Sequence, residues 1–434
     1  MFQTIKNAIK IPELRKKIIY TVIILLIYRL GAVIPVPYVD PNLISLPDGS
    51  IFQYLNILSG DAFQKATLFA LSISPYITAS IVIQLLCVAI PALERLSKEG
   101  EEGKKKINSY TRYITIALAL LTSVGYYFLM KNQYNCLTAP GKTWYGAIIV
   151  ISCYCAGASI IMWLGEKINE HGIGNGISMI LFANIVSGGW SLVLSVYNTF
   201  KSNIELIISG NWMGLLWCFV TLLVIAAVIA IVIFVVFIND SERKLPVQYA
   251  KRVVGRKMYG GQSSNLPIKL NMSGVMPIIF ASSIISLPVT IMQFCGVSQD
   301  NFWFKLFGTS SPVYIILFFV LIIAFSYFYI AISFNPQEVS NNLQKNGGFI
   351  PGIRPGRPTA EYITKVLSKV TLMGAMFLSV IAVLPLIANA ISGNALAGIA
   401  FSGSSLLIVV GVALETAREI EAQMTMRHYK GFLE

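Results

Sequence analysis

Long apolar runs, each near the length needed to cross a bilayer, alternate with short polar stretches along almost the whole chain. A helical span takes about 20 apolar residues. Ten runs qualify, at 17–36, 74–92, 110–130, 144–165, 174–197, 213–238, 272–294, 312–333, 366–389 and 401–421. The pattern predicts an all-α polytopic membrane protein with ten transmembrane helices. An even number of spans places both ends of the chain on one side. The ten divide into two groups of five, 1–197 and 198–434. Because five is odd, the second group must run inverted to the first, an arrangement common among membrane proteins.

One segment departs from this pattern. Residues 60–72, GDAFQKATLFALS, are helix-compatible but make only 13 residues. That is about 20 Å, too short for a core of about 30 Å. The segment carries Asp61 and Lys65 and runs into Pro75, which breaks a helix. Irregular backbone at membrane depth is tolerated only inside protein or beside water. The expected setting is a cavity open to the outside, with an interfacial loop helix as the alternative.

Composition agrees with a lipid solvent. Of 434 residues, 55% are hydrophobic and 12% charged, with a mean hydropathy of +0.69. A soluble domain carries about 25% charged residues. The net charge of +13 raises nucleic acid as a partner, but the charges sort by side: 27 of the 33 Lys/Arg fall on loops or helix ends that alternate to one face. Lys131, Lys142, Lys201 and Lys305 fall on the other, while Arg29 and Lys65 lie in or beside apolar stretches. Such asymmetry is the positive-inside pattern, so the basic face is cytosolic. Both termini belong to it, through Lys6, Lys10, Arg15, Lys16 and Lys17 at one end and Arg427 and Lys430 at the other.

Two cytosolic loops are long and basic. The stretch 239–270 holds seven Lys/Arg against two Asp/Glu, and 334–365 contains the rigid sequence PGIRPG. These loops are where a large charged partner could dock. The six cysteines, Cys87, Cys136, Cys153, Cys155, Cys218 and Cys295, have no metal-ligand spacing with histidine. Cys136 and Cys295 both fall outside, where a disulfide is conceivable. The first 18 residues are basic and the run after them is long enough to span, so a cleaved leader is not expected.

No catalytic constellation or cofactor loop emerges. His171 and His428 are the two histidines, and both fall in cytosolic segments. GKT at 141–143 lacks the glycine at 136 that a phosphate loop requires. In WLGEKINEHGIGNGISMIL, at 163–181, Gly172, Gly174 and Gly176 suggest a tight turn and close helix packing. A coupled transporter would place ionisable groups at the midplane, and the spans show no convincing carboxylate.

The stretches WLGEKINEHGIGNGISMIL, VQYAKR, GRKMYGGQSSNLPIKLNMSGVMPIIFASSII, NPQEVSNNLQKNGGFIPGIRPG and SPYITASIVIQLL resemble the signature segments of the SecY family. These are the channel-forming subunits of bacterial protein-conducting translocons. The match is collinear from about Lys16 to about Arg427. The resemblance implies two inverted five-helix halves closing as a clamshell around a central pore. It implies a ring of Ile73, Ile77, Ile177, Leu181, Ile279 and Ile408 at the waist. A plug helix over 60–72 would carry Gly60, Asp61, Ala62, Phe63, Lys65 and Leu68. A lateral gate between the second and seventh spans would involve Thr78, Ser80, Gln84 and Asn271. Docking of the SecA motor and the ribosome would use Arg243, Lys244, Lys251, Arg252, Arg256, Lys257, Arg354 and Arg357. The implied partners are SecE and SecG-like small subunits, SecA, ribosomes, unfolded preproteins with their signal sequences, and lipid. The implied place is the bacterial cytoplasmic membrane.

Overall fold

The fold is described from a computed structural model. It covers the chain except residues 1–5, 7, 45–50, 209–212, 250, 251, 255, 256, 260–262, 295–300, 303–305, 309, 310, 392–396 and 431–434. Each predicted run falls on a helix, but several helix ends differ from the apolar boundaries. Helix α1 is Pro12–Gly31, followed after a turn by the short α2, Ile51–Ser59. The first span was expected to reach residue 36. It stops at Gly31 because Pro35 has no N–H to continue the ladder. Residues 34–36 instead meet 66–68: Leu68 N–H donates to the Ile34 carbonyl and Val36 N–H to the Ala66 carbonyl.

Helix α3, Ser74–Ala89, and α4, Pro91–Lys98, meet at a 103° bend. The second span was expected to run unbroken through 92. A residue before proline is driven out of the helical region, and Ile90 is extended, at φ −108° and ψ 114°. The loop expected at 93–109 is therefore largely helical. Helix α5 starts at Glu101 and runs to Asn132, about 48 Å at 1.5 Å per residue, so it extends well beyond the lipid core. Its first turn carries Glu101 and Glu102, which favour the positive end of the helix dipole.

Helices α6, Trp144–His171, and α7, Gly176–Ile208, are joined by the glycine turn. Gly174 sits at φ +84°, a left-handed conformation that favours glycine. A Cβ on Gly176 would stand 2.0 Å from the Gly165 carbonyl oxygen, so the two helices touch backbone to backbone here. The turn is tied down at both sides. Ile173 N–H donates to Thr21 Oγ1 of α1, and Gly174 N–H donates to a Glu419 carboxylate oxygen.

The second part of the chain comprises α8, Met213–Asp240; α9, Met276–Phe294; α10, Pro312–Ser333; α11, Pro336–Lys345; α12, Arg357–Ile391; and α13, Ala397–Lys430. Between α8 and α9 the basic stretch forms a hairpin rather than a loop. Strand β1, Glu242–Tyr249, pairs antiparallel with β4, Ser263–Lys269, and the short β2, Arg252–Val254, pairs with β3, Lys257–Tyr259. On β1, Leu245 and Val247 turn inward while Lys244, Pro246 and Gln248 are exposed. Leu245 packs with Ile330 and Leu367, which fixes the hairpin onto α10 and α12. Strand β5, Gly348–Phe349, adds to the other edge of β1, so the two basic regions share one sheet of order β4-β1-β5.

Among the described residues, five helices are long and apolar enough to cross a membrane, and the bent pair α3–α4 makes a sixth. The largest core cluster draws side chains from α1, α3, α6, α7, α8, α9, α10, α12 and α13, so it lies at the middle of the bundle. Helix α9 packs against α3 and α5, and α13 against α7 and α8.

The backbone contact at Gly176 predicts an asymmetric mutational result. Gly176→Ala should lower the thermal midpoint of the full chain in detergent, because overpacking costs about 1–3 kcal/mol. Gly189→Ala, with nothing within 4 Å of its Cβ, should be neutral or slightly stabilising. A scan of both variants by intrinsic fluorescence checks the difference.

Candidate functional site

Six aliphatic side chains singled out in the sequence converge at the centre of the molecule. Ile73 precedes α3, Ile77 lies on its first turn, Ile177 and Leu181 lie on α7, Ile279 on α9 and Ile408 on α13. Ile73, Ile77, Leu181, Ile279 and Ile408 are buried members of one cluster, and Ile177 is half-buried against it. Val275, Ile278 and Val412 fill in around them. No side chain in this group carries a polar atom. Water entering such a cluster would find nothing to bond.

On one side of this cluster lies a cavity of about 180 Å³, room for about six waters. Ile77, Ile177 and Ile279 form part of its wall, and Ser80, Gln84 and Asn175 supply polar groups. The Gln84 amide donates to Ser80 Oγ at 3.3 Å. Asn175 Oδ1 accepts from Ile177 N–H at 3.0 Å and so caps α7.

On the other side lies segment 60–73, and here the structure corrects the sequence. The plug was expected as a helix over 60–72. The helix is instead α2, Ile51–Ser59, and 60–73 is a succession of turns. Gly60, Asp61, Ala66 and Ser72 all have positive φ, between 46° and 68°, which a right-handed helix cannot accommodate. The turns are held by side chains. Ser59 Oγ accepts from Phe63 N–H at 3.0 Å, and Asn56 Oδ1 accepts from Gln64 N–H at 2.9 Å. Asn56 Nδ2 donates to Asp61 at 3.1 Å.

Ala62 and Phe63 are buried, Leu68 is half-buried and Lys65 is exposed. The Phe63 ring lies 4.6 Å from that of Tyr126, tilted by 40°, and the Tyr126 hydroxyl donates to the Phe63 carbonyl at 2.6 Å. Gly157 of α6 lets the backbone approach, since a Cβ there would stand 2.0 Å from the Leu68 carbonyl oxygen.

Sequence reasoning missed the residue that ties this segment to the waist. Asn184 of α7 is fully buried. Its Nδ2 donates to the Leu58 carbonyl at 2.8 Å and to Ser72 Oγ at 3.3 Å. Ser72 Oγ also lies 3.4 Å from the Leu58 carbonyl oxygen. One amide therefore fastens both ends of the segment one helical turn from Leu181. The available signal was an asparagine within the apolar run SMILFANIV, where an unpaired amide would be costly. Arg29, also without an assigned role in the sequence, reaches the same place. Its Nη1 lies 2.8 Å from where a Cβ on Gly60 would stand.

The four expected gate residues do not form one polar seam. Thr78 Oγ1 donates to the Ser74 carbonyl of its own helix and faces a slot of about 90 Å³ between α3, α5 and α9. On α9, Ser282 and Ser283 likewise donate to the Ile279 carbonyl, one turn back on the same helix. Among the described residues, no hydrogen bond crosses from α3 to α9. Asn271 lies elsewhere, with its Nδ2 donating to Asn239 Oδ1 at the end of α8. Small hydroxyls inside a helix satisfy themselves on the preceding turn, so the α3–α9 contact rests on apolar packing rather than the polar contacts expected.

Among the expected docking residues, Arg243 and Lys244 are exposed on β1, with Lys244 3.3 Å from Glu242. Arg252 and Lys257 lie on the paired strands β2 and β3, whereas Lys251 and Arg256 lie outside the described residues. Arg354 is exposed in a turn whose backbone is fixed by Thr359 Oγ1 donating to the Arg354 carbonyl at 2.9 Å. Ser340 Oγ fastens the same turn by donating to the Gly356 carbonyl at 2.7 Å. Arg357 pairs with Glu361 at 3.2 Å. Cys295 lies outside the described residues. Cys136 is a buried free thiol that burial pushes up to about 11.

Replacing Asn184 by leucine should leave the Leu58 carbonyl without its donor, at about 1–3 kcal/mol. Amide exchange over 58–72 should then accelerate by roughly fivefold to a hundredfold. Exchange measured by mass spectrometry on the full chain checks this, with the peptides of α5 as an unchanged reference.

The sequence profile of the SecY family matches residues 67–417. The protein translocase subunit SecY of Streptomyces scabiei is 42% identical over 450 residues, spanning both chains completely. That of Mycobacterium tuberculosis strain H37Rv is 41% identical over 460 residues, again across both chains. Among solved structures, one described as a protein conducting channel superposes with a TM-score of 0.68 at 17% identity, covering 94% of this chain and 92% of that one. The idle yeast Ssh1 complex on the yeast 80S ribosome gives a TM-score of 0.62 at 15% identity, covering 92% and 88%. At those identities the structures speak to the fold alone. The profile and the full-length relatives show that the chain belongs to the SecY family of protein translocase subunits.

Proposed function

We propose that the chain forms the pore through which unfolded preproteins cross the bacterial cytoplasmic membrane, and that the six-residue aliphatic cluster is the pore's waist. The observation that carries this reading is the convergence of Ile73, just before α3, with Ile77 of α3, Ile177 and Leu181 of α7, Ile279 of α9 and Ile408 of α13. A polar cavity lies on one side of them and the pinned segment 58–73 on the other. In this reading ten helices form two inverted halves, 1–197 and 198–434. Segment 60–73 is the plug, and it is seated by Asn184. An extended polypeptide would displace the aliphatic side chains, which offer it no hydrogen bonds and so do not retain it.

The α3–α9 contact is the exit to lipid. With no hydrogen bond across it among the described residues, a hydrophobic signal sequence can replace its apolar contacts with equivalent ones. A polar seam would have to break bonds worth about 0.6 kcal/mol each. Both termini and the basic sheet face the cytosol, where SecA or the ribosome supplies the driving force, and SecE and SecG-like subunits complete the complex. The shared sheet supports joint docking, since it holds Arg243 and Lys244 in one body with the strand leading to Arg354.

A cysteine at Ile77 tests the central pathway. In membranes supplied with SecA and ATP, it should crosslink to an arrested secretory chain and to nothing when the substrate is omitted. Absence of that crosslink, with substrate still captured at Gln84, would place the path elsewhere. Docking gives a second expectation. Arg354→Glu should slow SecA-driven translocation at least tenfold, and Arg357→Glu should slow it less because Glu361 already partners Arg357. Protease protection of a preprotein in inverted vesicles measures both.

A further inference from the structure

A groove of about 650 Å³ lies where α10 passes into α11, walled on its other side by the first turns of α12. Arg357, Glu361, Lys365 and Lys369 recur every four residues along α12 and therefore share one face. Glu361 is taken up by Arg357 at 3.2 Å. Lys365 and Lys369 are exposed, and neither pairs with a carboxylate among the described residues. The groove thus presents two uncompensated ammonium groups.

The same face changes character beyond Lys369. Met373, Phe377, Val380 and Leu384 follow at helical spacing, and all are exposed, Met373 at 61%. From Lys369 to Leu384 the helix rises about 22 Å, somewhat more than one leaflet of a core about 30 Å thick. Tyr327 of α10 donates its hydroxyl to the Ser368 carbonyl at 3.0 Å, at the level where the two characters meet. Tyrosines of this kind mark the membrane–water interface.

We infer that this groove binds the phosphate headgroup of an anionic phospholipid, with its acyl chain lying along Met373, Phe377, Val380 and Leu384. The surface calls for a ligand that is anionic at one end and hydrocarbon at the other, aligned with the helix. Two uncompensated ammonium groups favour a lipid with net negative charge over a zwitterionic one. An acidic peptide matches the groove but not the lipid-facing stripe, and a partner helix matches the stripe but leaves the lysines unpaired. The inference goes beyond the channel reading and requires only a membrane setting.

Native mass spectrometry of the full chain purified in its own assembly tests the site, with phosphatidylglycerol and phosphatidylcholine as probes. Phosphatidylglycerol should be retained in preference. Lys365→Gln with Lys369→Gln should weaken its binding roughly thirtyfold. The pair Lys365→Arg and Lys369→Arg should preserve it. Lys104→Gln with Lys105→Gln, which removes equal charge from exposed positions on α5, should leave binding within about twofold. Equal loss in both Gln pairs would reduce the effect to the general basic field and overturn the site, as would no loss at Lys365 and Lys369. A photocrosslinker at Thr364 should give phospholipid adducts. Polypeptide adducts there would assign the groove to a protein partner instead. None of these readouts involves translocation, so failure here is separate from failure of the pore reading.

Discussion

Close packing of aliphatic side chains at the centre of the bundle is the contact on which everything else depends. Ile73, Ile77, Leu181, Ile279 and Ile408 are buried there, brought by four separate stretches of chain. A polar closure would hold water and ions and would bond to a passing backbone. An aliphatic one seals through the cost of wetting it, and it yields sideways because dispersion contacts have no direction. The segments around the waist follow from that choice. Ser80, Gln84 and Asn175 gather outside the apolar layer, in the cavity beside it. Thr78 of α3 and Ser282 and Ser283 of α9 donate back onto their own helices, and no hydrogen bond crosses between these helices among the described residues.

Segment 58–73 shows how an irregular piece of backbone survives at this depth. Its turns require left-handed conformations at Gly60, Asp61, Ala66 and Ser72. Strained residues of this kind persist only where the surroundings over-determine them. Here the surroundings are specific: Asn184 at the two ends, Tyr126 and Tyr154 hydroxyls on the Phe63 and Ala66 carbonyls, and Gly157 giving the Leu68 carbonyl room. Each bond contributes about 1 kcal/mol net. A few of them hold the segment against thermal release, and the plug reading proposed above requires that this hold be modest.

The bundle was legible from sequence because lipid demands long apolar runs, and each run lies on a helix. Helix ends were less legible. Apolarity fades gradually, whereas the backbone obeys Pro35 and Pro91, and polar starts such as Glu101 and Arg357 extend helices beyond the membrane. The hairpin was hidden because its basic residues dominate the reading. The alternation of Leu245 and Val247 with Lys244, Pro246 and Gln248 was present but brief. The aliphatic set came from resemblance, since nothing intrinsic separates Ile279 from dozens of other isoleucines. Asn184 is invisible to periodicity, and Asn271 misled because a polar residue beside a span does not reveal which neighbour it bonds. The 60–72 helix failed on positive φ at non-glycine residues, which composition does not signal.

The most direct test of the central claim is ion conductance in planar bilayers, measured in an Asn184→Leu background so that segment 58–72 is released. The account predicts that adding Ile279→Ser and Ile408→Ser opens a sustained current without substrate. The leucine pair at the same two positions should remain closed. Equal tightness of the serine and leucine pairs would contradict an aliphatic seal and move the barrier away from this waist.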